Sequence, residues 1–384
     1  MKSFFIGNIE IKTPVIQGGM GVGISLSGLA SAVANEGGVG VISCAGLGLL
    51  YPKGKGSYPE KCISGLREEI HKARTKTEGI IGVNVMVALS NYADMVRTAI
   101  NEKIDVIFSG AGLPLDLPSY LTTGSITKLV PIVSSSRAAK VICDKWQKNY
   151  NYLPDAIVVE GPKAGGHLGF KPDEIEQYNV CRNDEPENTD KYNKTETNNI
   201  NNINVCRKAN SVNLEFDNRA KTKLYSDEIK DIIDFVHTYE EKCEKDIPVV
   251  VAGGIYDKAD ADCIFELGAS GIQVATPFVA TKECDAHENY KMAYVNCKKD
   301  DIEIIKSPVG MPARAINNKF LKRVKKEGRI APIKCHQCVS TCNMLETPYC
   351  ITDALINAVS GNVDEGLIFC GAYAYKINDI STVK

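Results

Sequence analysis

One unit recurs along this chain and leaves few folds open to it. A short apolar run ends in glycines or other small residues, and a stretch at helical spacing follows. Apolar runs fall at residues 11–17, 39–43, 80–85, 105–109, 128–133, 157–159, 247–252 and 270–274. Helical periodicity fills most gaps between them, at 26–36, 63–76, 92–102, from about 117, at 136–150, 227–242 and 258–267. Runs this short and this uniformly apolar read as strands buried on both faces, which is the habit of parallel sheets. Strand and helix in strict alternation predict an α/β fold with a parallel sheet. Eight such units fit a closed (β/α)8 TIM barrel better than an open sheet. A dinucleotide-binding start is rejected, because the glycines at 18, 19, 21 and 23 lack the G-x-G-x-x-G spacing. The second strand also ends in Ser43-Cys44-Ala45, with no acidic residue to hold a ribose.

Two segments depart from the repeat. Residues 171–223 carry little apolar periodicity and include Asn198-Asn-Ile-Asn-Asn-Ile-Asn204. They read as a polar, low-complexity insertion after the sixth strand. After about residue 300 the alternation stops. Residues 307–314 are rich in turn formers, 315–327 and 351–359 read as helices, and the whole of 301–384 is expected to extend the barrel (residues 1–300) at its C-terminal side.

The balance of the chain excludes several partners. A net charge of −2 over 384 residues offers no basic footprint for nucleic acid or an anionic membrane. No apolar run approaches a bilayer-spanning length, and the first residues lack a signal-peptide core, so a cytoplasmic location is expected. The partners expected are a small molecule and oxygen, with room for a homo-oligomer.

In a barrel of this kind ligands gather at the C-terminal ends of the strands. Those ends are Gln17-Gly-Gly-Met20, Asn84, Gly110, Ala164-Gly-Gly-His167, Ala252-Gly-Gly-Ile255 and Gln273-Val-Ala-Thr276. The loops after strands seven and eight are the usual phosphate site, so Gly253, Gly254, Ala275 and Thr276 are candidates for one. Close packing of helix on strand would also place small residues there. Of the 5 His, His167 alone lies at a strand end, inside a glycine turn where Gly165 and Gly166 allow close backbone approach.

The motifs Pro14-Val-Ile-Gln-Gly-Gly-Met20, Gly82-Val-Asn84, Ala164-Gly-Gly-His167, Ala252-Gly-Gly-Ile255 and Gly271-Ile-Gln-Val-Ala-Thr276 stand in this order at these strand ends. In them the chain resembles the nitronate monooxygenase family, once called 2-nitropropane dioxygenases. That family shares its barrel with the flavin-dependent (type II) enoyl-acyl-carrier-protein reductases. The resemblance implies FMN. It places the phosphate at Gly253, Gly254 and Thr276, with Gln273 and Ala275 beside it, and the flavin ring over Gly18, Gly19 and Met20. Asn84 would hydrogen-bond the flavin or its ribityl chain, Gly165 and Gly166 would line the same site, and His167 would be the catalytic residue. The activity implied is oxidation of alkyl nitronates by O2 to a carbonyl compound and nitrite. An imidazole there could take a proton from a nitroalkane or, when charged, hold the anionic nitronate. Reduction of an enoyl thioester with NAD(P)H is the alternative. A flavin-binding barrel without catalysis is a further one.

The chain holds 14 Cys. Most are scattered singly and read as small buried hydrophobes. Cys335, Cys338, Cys342 and Cys350 instead form a C-x2-C-x3-C run with a fourth cysteine nearby. That spacing suits zinc or an iron–sulfur cluster, and equally a reduced, partly buried loop. No metal is assigned from the sequence.

Overall fold

The structure is a computed structural model, and it describes residues 2–51, 56–175 and 225–384. Eight parallel strands close into a barrel. They are Val15–Gln17, Val39–Ser43, Ile80–Met86, Val106–Gly110, Lys128–Val133, Ile157–Glu160, Val249–Ala252 and Gly271–Val274. All eight expected runs are therefore barrel strands. The first pairs with the eighth through Val15 and Ile272, which closes the ring. Most of the insertion expected at 171–223 lies outside the described residues.

The barrel interior is packed with side chains. Ile16, Val39, Val41, Val106, Phe108, Val130, Val158 and Val250 point inward and are buried. Burying a side chain such as Phe108 contributes roughly 1.5–3 kcal/mol. Space for it comes from Gly82, where a Cβ would lie 2.7 Å from the Phe108 ring. Gln17 is the polar exception. Its Oε1 accepts from the Val41 N–H at 2.9 Å, so the buried amide ties the first strand to the second.

The N-terminus supplies a plug that the alternation did not reveal. Phe4–Ile6 and Ile9–Ile11 form an antiparallel hairpin around Gly7 and Asn8, the kind of two-residue turn that suits hairpins. Phe4, Ile6 and Ile11 join the inner core. Phe4 packs so close to the eighth strand that a Cβ on Gly271 would lie 2.8 Å from its ring.

Helices cover the outside. Ser136–Tyr150 starts at Ser135, whose hydroxyl accepts from the Ala138 N–H at 3.2 Å, and ends at Asn151 in the left-handed region. It buries Trp146, whose indole N–H donates to the Pro114 carbonyl at 2.9 Å. The helix expected from about residue 117 is a single 3-10 turn, Leu117–Tyr120. Among the described residues no helix is long and apolar enough to cross a membrane.

Beyond residue 300 one expectation is corrected. Residues 315 and 316, read as the start of a helix, belong to a strand. Ile302–Lys306 and Pro312–Ile316 form an antiparallel hairpin, and residues 307–311 of the turn-rich segment are its connection. Every residue from Ala313 to Ile316 is buried, as suits a strand covered on both faces. The helix begins later, at Lys319–Glu327, where the Asn318 side chain accepts from the Leu321 N–H at 3.1 Å. The hairpin has a further role. Its second strand pairs with Gly166–His167, with Ala313 opposite His167 and Arg314 opposite Gly166. The loop after the sixth barrel strand is thereby built into a three-stranded sheet at the barrel mouth.

Candidate active site

A cavity of about 420 Å³ opens at the C-terminal ends of the strands. Its wall includes Gly18, Gly19, Met20, Asn84, Gly165, Gly166, His167, Gly253, Gly254, Gln273, Ala275 and Thr276. All twelve residues singled out in the sequence thus meet around one space, although they come from five separate strand ends.

Backbone forms much of the floor. Asn84 lies across Gly19, where a Cβ would stand 2.3 Å from the Asn84 Cβ. Gly18 donates its N–H to the Val274 carbonyl at 2.8 Å, which joins the first strand end to the eighth. Gly253 and Gly254 have φ of +88° and +84°, where glycine alone is unstrained. A Cβ on Gly253 would lie 2.8 Å from the Gly161 carbonyl oxygen, and one on Gly254 would lie 2.9 Å from Lys163 Cβ.

The loop carrying His167 is clamped from the C-terminal hairpin. Arg314 is buried, and its guanidinium donates to the carbonyls of Ala164 and, at 2.9 Å, Pro162. The Leu168 N–H donates to the Pro312 carbonyl at 2.8 Å, and the Ala372 N–H to the Lys163 carbonyl at 3.1 Å. The His167 ring is set from two sides. Nε2 is 2.7 Å from the Ser307 hydroxyl, and Phe369 stands edge-on with ring centroids 5.1 Å apart.

Among the titratable side chains on this wall, an acid and an imidazole stand out. His167 and Glu160 both open to the cavity, yet protein surrounds them closely enough to penalise charge. Burial pushes His167 down to about 4. Burial also pushes the Glu160 carboxyl up to about 7. At neutral pH the imidazole is therefore uncharged, and the carboxyl is poised near its midpoint. An anion at the ring would draw the proton affinity back up. Ser307, Arg314, Phe369 and Glu160 were not singled out in the sequence. Glu160 had a visible signal, an acid ending an apolar run; the other three lie far along the chain, in a hairpin and tail whose pairing has no local signature.

The volume lies within the roughly 300–1,000 Å³ of small-molecule and cofactor sites. A glycine floor, two left-handed glycines at one end, and the polar side chains of Asn84, Gln273 and Thr276 fit a flat ring system carrying a phosphate. FMN meets that description, and a Cβ at Gly19, Gly253 or Gly254 would crowd the cradle.

Comparison with known proteins agrees with the geometry. The nitronate monooxygenase family model matches residues 2–185 and 219–384. A probable nitronate monooxygenase of Staphylococcus aureus (strain Newman) is 26% identical over 355 residues, covering 84% of this chain and 80% of that protein. A 5-hydroxy-7a-methyl-1-oxo-octahydro-indene-4-carboxyl-CoA dehydrogenase of Rhodococcus jostii (strain RHA1) is 21% identical over 322 residues, covering 84% of this chain and 67% of that one. Among solved structures, FabK from Thermotoga maritima superposes with a TM-score of 0.64 at 24% identity, covering 97% of this chain and 89% of that chain, a likeness of fold. With the family match spanning nearly the whole sequence and the cavity shaped for the cofactor, the chain belongs to the nitronate monooxygenase family and is an FMN-dependent oxidoreductase.

Proposed function

We propose that this protein oxidises alkyl nitronates with O2, giving a carbonyl compound and nitrite, with His167 as its catalytic residue. The observation that carries this reading is the placement of His167, its ring held by Ser307 and Phe369 at the wall of the glycine-floored cavity. The name of the Staphylococcus relative points the same way. FMN, when bound, supplies the electron acceptor for the oxidation. In this reading Gly253, Gly254, Ala275 and Thr276 hold its phosphate, Gln273 lies beside them, and Gly18, Gly19 and Met20 lie under its ring. Asn84 donates to the ring or the ribityl chain. Gly165 and Gly166 let the His167 loop approach closely. His167 abstracts a proton from a neutral nitroalkane, or donates a hydrogen bond to the oxygens of a nitronate that arrives already ionised. Residues 1–300 form the cofactor-binding unit, and 301–384 supply the clamp over its mouth.

A second reading is reduction or oxidation of an acyl thioester. The Rhodococcus relative, whose name gives it a CoA thioester substrate, favours it. One assay separates the two. Purified, FMN-loaded protein is given propyl-nitronate in air, and in parallel NAD(P)H with an enoyl thioester. Nitrite release and oxygen uptake without nicotinamide support the proposal. NAD(P)H oxidation that requires the thioester, with no nitrite, replaces it with the second reading.

A further inference from the structure

A second cavity, of about 260 Å³, lies in the C-terminal segment, and Cys335, Cys338, Cys342 and Cys350 all stand on its wall. Neither the barrel mouth nor the reaction proposed there makes use of it. The four sulfurs come from a loop with little regular structure and from the start of the helix Ile351–Val359. Such a loop has little apolar reason to bring four cysteines around a void.

The local geometry treats two of these sulfurs as acceptors. The backbone turns sharply at Gln337, with φ of +52°, and its N–H donates to Cys335 Sγ at 3.4 Å. An N–H aimed at a sulfur two residues back stabilises negative charge on that sulfur. The Thr352 hydroxyl donates to Cys338 Sγ at 2.8 Å. Cys350 is the N-cap of its nine-residue helix. Cys338 lies within electrostatic reach of Cys335 and Cys342, and Cys350 within reach of Cys338. The loop is also anchored from outside. The Ser90 N–H donates to the Cys338 carbonyl at 3.3 Å, and the Ser340 N–H to the Ala88 carbonyl at 3.1 Å, so the loop is fastened to the segment after the third barrel strand.

The size of the void argues about its occupant. A single zinc ion binds thiolates at about 2.3 Å in a tetrahedron, which draws the sulfurs nearly into contact with one another. Among the described residues the group whose ligand atoms lie within 4.8 Å of one another is His336, Cys350 and Asp353. His336 in that group is already engaged, with Nε2 2.8 Å from Asp353 Oδ1. The four cysteines instead line a space far larger than one ion. A polynuclear cluster needs that arrangement, with one thiolate on each iron corner.

We propose that Cys335, Cys338, Cys342 and Cys350 ligate an iron–sulfur cluster of the four-iron class. Their spacing, C-x2-C-x3-C with a fourth cysteine eight residues further on, gives the four thiolate ligands such a cluster takes. The Gln337 N–H and the Thr352 hydroxyl donate to ligand sulfurs, in the kind of hydrogen bond that tunes a cluster's potential. The cluster lies beside the flavin cavity. Ile351 is on the wall of the small cavity and Leu355, one turn along the same helix, is on the wall of the large one. That separation is about 6 Å along the helix axis. The inference does not depend on which substrate the flavin site takes.

The test is iron and acid-labile sulfide analysis of the full chain, purified without oxygen and carrying FMN, together with EPR after dithionite reduction. About four iron and four sulfide per chain are expected, with an EPR signal from the reduced cluster. Cys338→Ser should lose the iron. FMN content serves as the check on folding. Should that variant fail to fold, Cys335→Ser changes an exposed side chain and should lose the iron with FMN retained. FMN-loaded protein free of iron and sulfide overturns the proposal. So does stoichiometric zinc in place of iron, or a folded cysteine variant that keeps its full iron content.

Discussion

The two cavities are built by opposite means. The barrel mouth is shaped largely by backbone, with glycines from the first, sixth and seventh strand ends in its floor and with burial opposing charge on His167 and Glu160. The cysteine-lined cavity is shaped by side chains, with sulfurs around the void and N–H and O–H groups aimed at them. The first suits a flat organic cofactor that must be approached closely and then left. The second suits a permanent inorganic occupant. The contrast also says which changes each should tolerate. At the mouth an added methyl group is damaging where a removed hydroxyl is mild, whereas the small cavity should depend on single heteroatoms.

The largest effect expected at the mouth comes from removing the one group assigned a chemical role. His167→Ala should retain FMN, because the glycine floor is untouched, and should lose turnover on the order of 100- to 10,000-fold. Flavin absorbance and nitrite release measure the two separately. A near-normal rate would remove His167 from the mechanism and leave only the shape of the site.

Next is the clamp. Arg314→Ala leaves the carbonyls of Pro162 and Ala164 without their buried donor. Charge-assisted hydrogen bonds of this kind contribute about 1.5–3 kcal/mol each, so a loss of about 3 kcal/mol is expected in urea unfolding. FMN should also dissociate more readily, because the same loop supplies Gly165 and Gly166. An unchanged urea midpoint would show the mouth to be self-supporting.

Glu160 gives a smaller effect with a definite pH signature. Its carboxyl is raised to about 7 in the fold, against 4.5 for an unperturbed group. The folded state therefore holds a proton that the unfolded chain releases, and stability falls as pH rises from about 4.5 to 7. His167 works in the opposite sense. Its depressed value means that the unfolded chain takes up a proton first, so stability falls as pH drops from 6.5 toward 4. Glu160→Gln should abolish only the first loss. In FMN-free protein the variant should be more stable than wild type above pH 7, by about 2 kcal/mol, with little difference at pH 4.5. Equal stability at both values would mean that the carboxyl is solvated.

The same contrast explains what could be seen in advance. The barrel was legible because each strand is a local run and the eight repeat one another. The cavity at the mouth followed, since strand ends of a closed barrel must converge and Gly18, Gly253 and Thr276 need only be located, not oriented. The hairpin plug at Phe4–Ile11 was missed because its two strands are too short to show alternation. The clamp was missed for another reason. The Pro312–Ile316 strand pairs with Gly166–His167 across nearly 150 positions, and a helical reading of residues 315–316 was locally as good. Cysteine spacing marked the small cavity, but spacing alone cannot say whether sulfurs surround a void.

The smallest effect tests how the hairpin and the histidine work together. Ser307 comes from the turn between the two hairpin strands, and its hydroxyl sits 2.7 Å from His167 Nε2. It also accepts from the Val309 N–H at 3.3 Å, so the hydroxyl is itself held in place by its turn. Ser307→Ala removes one hydrogen bond to a ring that Phe369 still packs against. The cost should be about 1 kcal/mol, or roughly a fivefold fall in turnover, with FMN binding unchanged. Ser307→Thr, which keeps the hydroxyl, should recover most of the rate. If alanine costs nothing, Ser307 only fills space and the ring is set by Phe369 and the strand pairing alone. If both variants lose turnover equally, the bulk at that position matters and the hydrogen bond does not. Recovery by threonine alone would place the hairpin turn in the orientation of the imidazole, in a site otherwise made of backbone.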